Sequence, residues 1–306
     1  MISVIICSRE KFRLDHLIQN IRETIGAEHE ILATDNAQAR DGICKVYNSG
    51  GDKAKFDLLC FVHEDVEFVT SGWGRCIAAH LQDKKTGLIG IAGGDTKSIV
   101  PSSWYISSRS NQVNVFQHYP SSNASPAYIR VTENNGDSRA QKVAAMDGVF
   151  LCTRKEVFNQ YRFDEQQFPR FHGYDIDYSL QVSADYELKV IFDVVIHHYS
   201  EGKPGKQWLE SALQVSRKWK NRLPISVHQL SKKEFSDHHW TAMQVFLQRM
   251  INLNYPVYFI GYHFLYYSFT SFFTIRRMGS MIKYLITQLF QRYIKQERTK
   301  FLLHTN

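Results

Sequence analysis

Short apolar runs alternate with segments of helical periodicity over the first third of the chain. Runs at 2–7, 31–34 and 57–62 contain many aliphatic and β-branched residues and have the length of buried strands. Between the first two runs, apolar side chains recur every three or four residues, at Leu14, Leu17, Ile18, Ile21 and Ile25. This alternation predicts an α/β fold in which helices flank a mainly parallel sheet and the crossovers are right-handed.

The same reading places further elements along the chain. They are helices at 39–47, 72–82 and 172–184 and strands at 87–92, 144–152 and 188–196. The turns between them contain neither the G-x-G-x-x-G pattern of dinucleotide-binding folds nor the G-x-x-x-x-G-K-[ST] pattern of phosphate loops. The sequence therefore disfavours a dehydrogenase and a P-loop NTPase.

An acidic triplet, His63-Glu64-Asp65, follows directly after the strand at 57–62. Parallel sheets bind their ligands beyond the carboxyl ends of the strands. Carboxylates there can hold Mg²⁺ or Mn²⁺, and such a cation can bridge the protein to a diphosphate. The alternative is a solvated acidic turn with no ligand.

Composition places the chain among globular proteins, because 43% of its 306 residues are hydrophobic and 22% are charged. The five cysteines form no C-x-x-C pair, and several lie in apolar runs, which favours core thiols in a reducing compartment. Residues 2–7 are predicted to form a strand and not part of a signal peptide, since no basic region precedes this apolar run.

The net charge of +7 is concentrated in one region, because residues 276–306 carry seven basic side chains and a single acid. The stretch before them, Met250 to Ile275, has no charged residue, and ten Tyr or Phe side chains lie between Tyr255 and Phe273. Aromatic sequence followed by cations suits an anionic membrane surface better than a nucleic acid. We therefore expect peripheral membrane contact and no nucleic-acid partner.

The C-terminal region is predicted to be helical. Apolar residues from Trp240 to Ile251 recur at helical spacing and indicate an amphipathic helix. The stretch from Tyr255 to Ile275 has the roughly 20 residues that a bilayer span needs, but its tyrosines, Pro256 and His263 favour a helix on the membrane surface. The alternative is a helical subdomain that packs its aromatic residues on protein.

These patterns predict two domains. Residues 1–222 form the α/β domain, and 223–306 form a helical, aromatic-rich and basic extension. Within the first domain, 95–142 is rich in Ser, Asn, Gly and Pro and lacks clear periodicity. A segment of this length and composition indicates an insertion, and such insertions are often functional loops.

The order of the motifs resembles the inverting GT-A glycosyltransferases of family 2, in particular the bacterial polysaccharide and rhamnosyltransferase-like type. The resemblance covers about residues 1–205. The segments that carry it are Ser3–Arg9, Asp35-Asn36, Tyr47–Gly50, His63–Asp65, Met146–Gly148 with Arg154, Arg162–Glu165 and Tyr174–Asp177. The chain departs from the family pattern at His63, where an acid is usual, and at Tyr174, where a glutamate is usual.

The resemblance implies a GT-A fold and transfer of a sugar, with inversion, from a UDP- or dTDP-sugar to a hydroxyl of a glycan or lipid-linked acceptor. It implies a divalent cation, Mn²⁺ or Mg²⁺, and work in polysaccharide synthesis in the cytoplasm at the inner face of the cell membrane. The residues it assigns to the donor nucleotide are Ser8, Arg9, Asp35, Asn48, Glu64 and Asp65. It makes Asp65 and His198 metal ligands, Asp175 the general base, and Asp147, Gly148 and Asp177 acceptor or sugar contacts.

Other roles stay open at several of these positions. Asp35 can bond its own turn, and Asp175 and Asp177 can be favourable charges in the first turn of a helix. His198 or His197 can be a structural imidazole. For the whole chain, the alternatives are a sugar-phosphate nucleotidyltransferase and a non-catalytic sugar-binding or scaffolding member of the same fold. The absence of glycine between Cys7 and Glu10 counts against the nucleotidyltransferase.

Overall fold

The computed structural model describes residues 1–106, 111–122, 124–131, 139–200, 202 and 204–304, with side chains to 296. Two compact units are present. The first consists of 1–97 and 103–228, and the second of 98–102 and 229–306.

A seven-stranded sheet forms the centre of the first unit, in the order β10-β13-β5-β12-β3-β1-β2. Its strands are β1 (Ile2–Ser8), β2 (His29–Asp35), β3 (Leu58–His63), β5 (Thr86–Gly90), β10 (Ala140–Val143), β12 (Phe150–Arg154) and β13 (Glu187–Ile191). Strand β1 runs parallel to β2 and β3, and β13 runs parallel to β5, while β12 and β10 are antiparallel to their neighbours. The sheet is therefore mixed, with β12 inserted between two parallel groups.

Six helices accompany the sheets of the first unit. They are α1 (Lys11–Thr24), α2 (Ile43–Lys53), α3 (Trp73–Leu81), α4 (Lys155–Gln160), α5 (Tyr174–Val182) and α6 (Lys206–Lys218). Helix α2 lies close to β1 and to α4 because it carries a glycine at each contact, where a larger side chain would collide. A Cβ added at Gly50 would lie 2.4 Å from Ile5, and one at Gly51 would lie 2.3 Å from Phe158.

A second sheet of six strands lies in the same unit, with β11-β6-β8-β14-β4 as its main order and β9 paired with β8. Its strands are β4 (Val66–Phe68), β6 (Ala92–Gly94), β8 (Asn111–Gln117), β9 (Ala127–Val131), β11 (Ala145–Met146) and β14 (Ile196–His198). A two-stranded sheet joins β7 (Thr96–Lys97) to β15 (Ile225–Ser226). Segment 95–142 was expected to be irregular, and that expectation is wrong for β7, β8, β9 and β10.

The second unit is helical. It contains α7 (Lys232–Asn252), α8 (Val257–Ser268) and α9 (Ile275–His304). Helix α7 begins with a capping box, in which Ser231 accepts from the Glu234 amide and the Glu234 side chain accepts from the Ser231 amide. The aromatic stretch from Tyr255 to Ile275 is interrupted between α8 and α9. No helix in the described part of the chain has both the length and the hydropathy that crossing a membrane requires.

Candidate functional site

A cleft of about 320 Å³ opens at the carboxyl ends of β1 and β3. Residues at these strand ends line it, together with the loop between β2 and α2 and the segment from Pro169 to Phe171. The loop and the segment meet closely at Gly42, where an added Cβ would lie 2.3 Å from the Pro169 carbonyl oxygen. The cleft is in the position where sheets of this type bind their ligands.

Glu64 holds the turn that follows β1. Its Oε2 accepts three hydrogen bonds, from the Ser8 hydroxyl at 2.6 Å, the Arg9 amide at 2.9 Å and the Glu10 amide at 3.0 Å. Three donors on one carboxylate oxygen fix the turn against the end of β3. Ser8 and Glu64 therefore shape one wall of the cleft, and Arg9 lies in its lining.

Asp65, His63 and His198 come together beside the cleft, and one potential ligand atom from each lies within 4.8 Å of those from the other two. Asp65 Oδ1 is buried and has no hydrogen-bond partner among the described residues, and it lies 3.9 Å from His198 Nε2. Arg13 Nη1 approaches the other oxygen at 4.0 Å. A buried carboxylate oxygen without a donor beside two imidazoles has the donor set of a divalent cation site.

Strand pairing brings His198 to this position. In the second sheet His198 lies opposite Val66 of β4 and Gln117 of β8. The Nδ1–H of His198 donates to Gln117 Oε1 at 3.2 Å, which leaves the Nε2 lone pair facing Asp65. His197 lies on the other face of β14, stacked on Phe116. Of the two neighbouring histidines, His198 therefore lies on the side of Asp65.

His63 also contacts α5. Its Nε2 lies 2.6 Å from the Tyr174 hydroxyl, which in turn donates to the Gly148 carbonyl at 3.0 Å. Gly148 is necessary here, because a Cβ at this position would lie 2.0 Å from the Tyr174 oxygen. The sequence did not mark His63 as a candidate ligand, and its place at the end of β3 was the only available signal.

Asp147 and Asp175 lie on either side of Gly148. Asp147 accepts from the Trp104 indole N–H at 2.6 Å and from the Val149 amide at 2.8 Å. Asp175 occupies the first turn of α5, which begins after Gly173 in a left-handed conformation with φ 86°. Burial, and after it the negative charge of Asp147, raises the pKa of Asp175 to about 7.

Lys97 of β7 is a further charged group that the sequence analysis missed. Its side chain is fully buried, and burial lowers the pKa of Lys97 to about 7 against the opposing effect of the Asp175 carboxylate. Asp175 thus interacts electrostatically with the cationic Lys97 and with the anionic Asp147. Such a combination is frequent at sites of proton transfer.

Asp177, which the motif order assigned to acceptor or sugar binding, lies in a buried hydrogen-bond network. Its side chain is buried and accepts from Trp219 Nε1 at 2.8 Å, Gln181 Nε2 at 2.9 Å and Lys218 Nζ at 2.9 Å. These donors satisfy both carboxylate oxygens and connect α5 to α6. Three protein donors therefore already occupy this carboxylate.

Asn48 also has partners within the protein. Its amide donates to the Phe163 carbonyl at 2.9 Å and accepts from the Phe163 amide at 3.2 Å, so both halves of the amide bind backbone. Asp35 is exposed at the end of β2 and accepts from the Ala37 amide at 3.0 Å. The neighbouring Asn36, and not Asp35, lines the cleft.

Two arginines that sequence analysis did not single out line the cleft along with Arg9. They are Arg40, in the loop after β2, and Arg170, in the segment before α5. Phe171 lies beside them, 46% exposed, with its ring 5.4 Å from that of His63. Three guanidinium groups and an exposed aromatic ring around one cleft suit an anion that carries a flat ring.

A family model described as "Glycosyltransferase like family" matches residues 3–222, and the chain belongs to this family. Comparison with curated protein sequences finds no match. Among solved structures, GalNAc-T7 with UDP, GalNAc and Mn²⁺ has a similar fold, with a TM-score of 0.54 and 12% identity over 94% of this chain and 57% of that one.

The S. aureus TarS structures are also similar. One gives a TM-score of 0.51 with 10% identity over 95% of this chain and 54% of that chain. TarS 1-349 in complex with UDP gives 0.52 with 11% identity over 95% and 88%. The chain thus spans little more than half the length of GalNAc-T7 and of the longer TarS chain. These likenesses show the GT-A fold that the motif order had implied.

Proposed function

We propose that this glycosyltransferase transfers a sugar from a UDP-sugar or a closely related nucleotide-sugar to a hydroxyl, with inversion and with the help of a divalent cation. The observation that carries the proposal is the cleft itself. It combines three arginines with an Asp–His–His cluster at the carboxyl end of the sheet. Arg9, Arg40 and Arg170 are placed to offset the charge of a nucleoside diphosphate, and Glu64 keeps the turn that carries Arg9 in position.

The residues present fit a divalent cation. Asp65 offers an unpartnered carboxylate oxygen, His198 offers Nε2, and His63 lies beside them. When bound there, a cation would stabilise the negative charge that develops on the leaving diphosphate. The relatives GalNAc-T7 and TarS 1-349 have structures with UDP, which supports a uridine nucleotide as the first candidate.

Asp175 is the proposed general base. With a pKa of about 7 it is partly ionised at neutral pH and basic enough to remove the proton of an attacking hydroxyl. The negative charge of Asp147, which accepts a hydrogen bond from Trp104, helps to keep the pKa of Asp175 raised, and Asp147 is available to contact a sugar. A single displacement by a hydroxyl activated in this way inverts the anomeric centre.

We further propose that the second unit contacts an anionic membrane surface and so brings the enzyme to a lipid-linked or polysaccharide acceptor. Helix α8 exposes Tyr258, Tyr262 and Tyr266, Phe269 is exposed just after its end, and α9 exposes Ile275, Ile282, Ile286, Phe290 and Tyr293. Exposed Arg276 and Lys283 lie among the latter. Interfacial aromatic residues and cations together favour binding to anionic lipid.

Nucleotide binding tests the donor site. Thermal unfolding is followed with UDP, dTDP, GDP, CDP and ADP, each with and without Mn²⁺, for wild type and Asp65→Ala. A nucleotide at about 100 times its dissociation constant adds roughly 2.7 kcal/mol to the stability of the folded state. We expect Mn²⁺-dependent stabilisation by UDP or dTDP in wild type and its loss in Asp65→Ala. Asp15→Asn, at an exposed carboxylate on α1 paired with Lys11, is the control.

Absence of stabilisation by every nucleotide would contradict the proposed donor site and favour a non-catalytic role.

Membrane contact is tested by co-sedimentation with phosphatidylcholine vesicles that contain or lack phosphatidylglycerol. We expect binding only with the anionic lipid, and weaker binding for Phe290→Ser. Phe12→Ser, at an 85% exposed position on α1, is the matched control. Equal binding by both variants and wild type would contradict contact through α9.

A further inference from the structure

The two positions at which this chain departs from the family pattern contact each other. His63 stands where an acid is usual and Tyr174 where a glutamate is usual, and His63 Nε2 lies 2.6 Å from the Tyr174 hydroxyl. They are 111 residues apart in sequence, so only the fold brings them together. The contact suggests that the two departures form one functional unit.

Hydrogen bonding determines which nitrogen of His63 is free. A tyrosine hydroxyl has a single proton, and here it donates that proton to the Gly148 carbonyl. The hydroxyl oxygen is then an acceptor for the Nε2–H of His63. The ring is left in the tautomer whose lone pair is on Nδ1, which is the atom that can bind a cation.

The position of the Tyr174 hydroxyl is itself fixed. Gly148 leaves room for it, since any Cβ there would occupy the space within 2.0 Å of the oxygen. The ring packs between Tyr47, at a centroid distance of 5.8 Å, and Phe163, at 6.0 Å. The hydroxyl therefore cannot turn away from His63 without moving these neighbours.

We propose that Tyr174 is a positioning residue that makes His63 the third protein ligand of the cation, through Nδ1, and thereby selects Mn²⁺ over Mg²⁺. The proposal rests on the cation site of the proposed function. Mn²⁺, a transition-metal ion, accepts imidazole nitrogen more readily than Mg²⁺, which prefers a shell of oxygen ligands and gives up its waters reluctantly. An acid at position 63 would give the oxygen-rich set that Mg²⁺ accepts.

The test measures cation binding in the absence of nucleotide. Isothermal titration calorimetry gives the affinities for Mn²⁺ and Mg²⁺ of wild type, Tyr174→Phe and His63→Asp. Removal of an outer-shell partner weakens metal binding by about 10–100-fold. We expect Tyr174→Phe to lose at least about tenfold in Mn²⁺ affinity with a smaller loss for Mg²⁺, and His63→Asp to shift the preference towards Mg²⁺. Tyr178→Phe, the same change one turn further along α5, should bind both cations as wild type does.

A spectroscopic measurement distinguishes ligation by His63 from a general loss of structure. Pulsed EPR of bound Mn²⁺ detects the nitrogens of coordinating imidazoles. We expect signals from two coordinating imidazole nitrogens in wild type and from one in His63→Gln. The proposal is overturned if wild type shows one nitrogen, if Tyr174→Phe binds Mn²⁺ as tightly as Tyr178→Phe, or if wild type binds no better than Asp65→Ala. Nucleotide binding is measured separately, so the absence of a donor site would not be mistaken for any of these results.

Discussion

The carboxylate of Asp147 accepts a hydrogen bond of 2.6 Å from the indole of Trp104, and its negative charge contributes to the raised pKa of Asp175. Trp104 is a neutral donor, so it orients Asp147 without cancelling its charge. The charge of Asp147 thus helps to keep Asp175 a weaker acid than an exposed aspartate. The protonation of Asp175 and its part in sugar transfer can be tested by four measurements.

The first prediction concerns the pH dependence of sugar transfer. A general base acts in its ionised form, and burial together with Asp147 raises the pKa of Asp175 to about 7. We expect kcat/KM to fall about tenfold per pH unit below pH 7 and to level off above it. The measurement is a rate profile of nucleotide release from pH 5 to 9. A rate that is unchanged between pH 5.5 and 8 would exclude Asp175 as the base.

The second prediction follows from the charges that surround Asp175. Asp147→Asn removes a negative neighbour, so the pKa of Asp175 should fall and the acid limb of the profile should move to lower pH. Lys97→Met removes a positive neighbour, so the limb should move to higher pH. Opposite shifts in the two variants identify Asp175 as the titrating group. Shifts in the same direction would indicate a different one.

Stability should respond to pH in a related way. Because the folded pKa of Asp175 lies above the ordinary value of 3.8, the native state binds the proton more tightly and loses stability as pH rises from about 4 to 7. Asp175→Asn lacks this charge. At pH 8 it should be more stable than wild type by about 1–4 kcal/mol, and at pH 4 the two should be nearly equal. Urea denaturation at both pH values gives the comparison.

Replacement of Asp175 should also separate binding from transfer. Asp175→Asn should keep the nucleotide affinity of wild type, because the residue is not among those that line the nucleotide cleft. Its rate of sugar transfer should fall by about 10²–10⁴. Isothermal titration with UDP and Mn²⁺, followed by single-turnover transfer, tests both expectations. A variant that transfers sugar at the wild-type rate would show that another group removes the proton.

Glu64 gives the fifth prediction, because its three hydrogen bonds hold the turn from Ser8 to Glu10. Glu64→Ala removes the acceptor of all three bonds and leaves the turn free to move, which should cost about 2 kcal/mol of stability. Nucleotide affinity should also weaken, since Arg9 is on this turn. Ser8→Ala removes one of the three bonds and should lose less stability and less nucleotide affinity than Glu64→Ala. Calorimetry of folding and of UDP binding measures the two effects. Wild-type nucleotide affinity in Glu64→Ala would argue against a binding role for this turn.

The sequence was most informative where local pattern determines structure. Strands β1, β2 and β3 and helices α1 and α3 lie where hydrophobic periodicity placed them, and the α/β GT-A fold is confirmed. Helix α2 overlaps the helix predicted at 39–47 only in part, because it runs from Ile43 to Lys53. Strand β8 was missed because its polar residues are buried instead of exposed. Asn114, for example, is fully buried and donates to the Val194 carbonyl 80 residues away at 2.7 Å. The polar composition of this segment predicts a loop, because nothing nearby in the sequence shows that a remote carbonyl will satisfy the buried amide.

The same limit applies to the site. The positions of Asp65, Asp147 and Asp175 could be selected from motif order, and the fold places them near one another, although their roles stay predictions. Asn48 and Asp177 also belong to recognisable motifs, yet their partners lie 115 and 42 residues away, at Phe163 and Trp219. Whether a polar side chain faces a ligand or the protein interior depends on such tertiary partners. For this reason the sequence could not separate site residues from structural ones.

Asp177 offers the most direct check of that distinction. Its buried carboxylate pairs with Lys218, and loss of one partner of a buried ion pair typically costs about 3–5 kcal/mol. Lys218 also pairs with Asp164 at 2.7 Å, so the cost of Asp177→Asn should lie near the lower end of that range, at about 3 kcal/mol. Because the carboxylate faces α6 and is fully buried, the KM for acceptor should match wild type. Chemical denaturation and acceptor titration at a temperature where the variant is folded test both statements. A raised acceptor KM with unchanged stability would restore Asp177 to the sugar site.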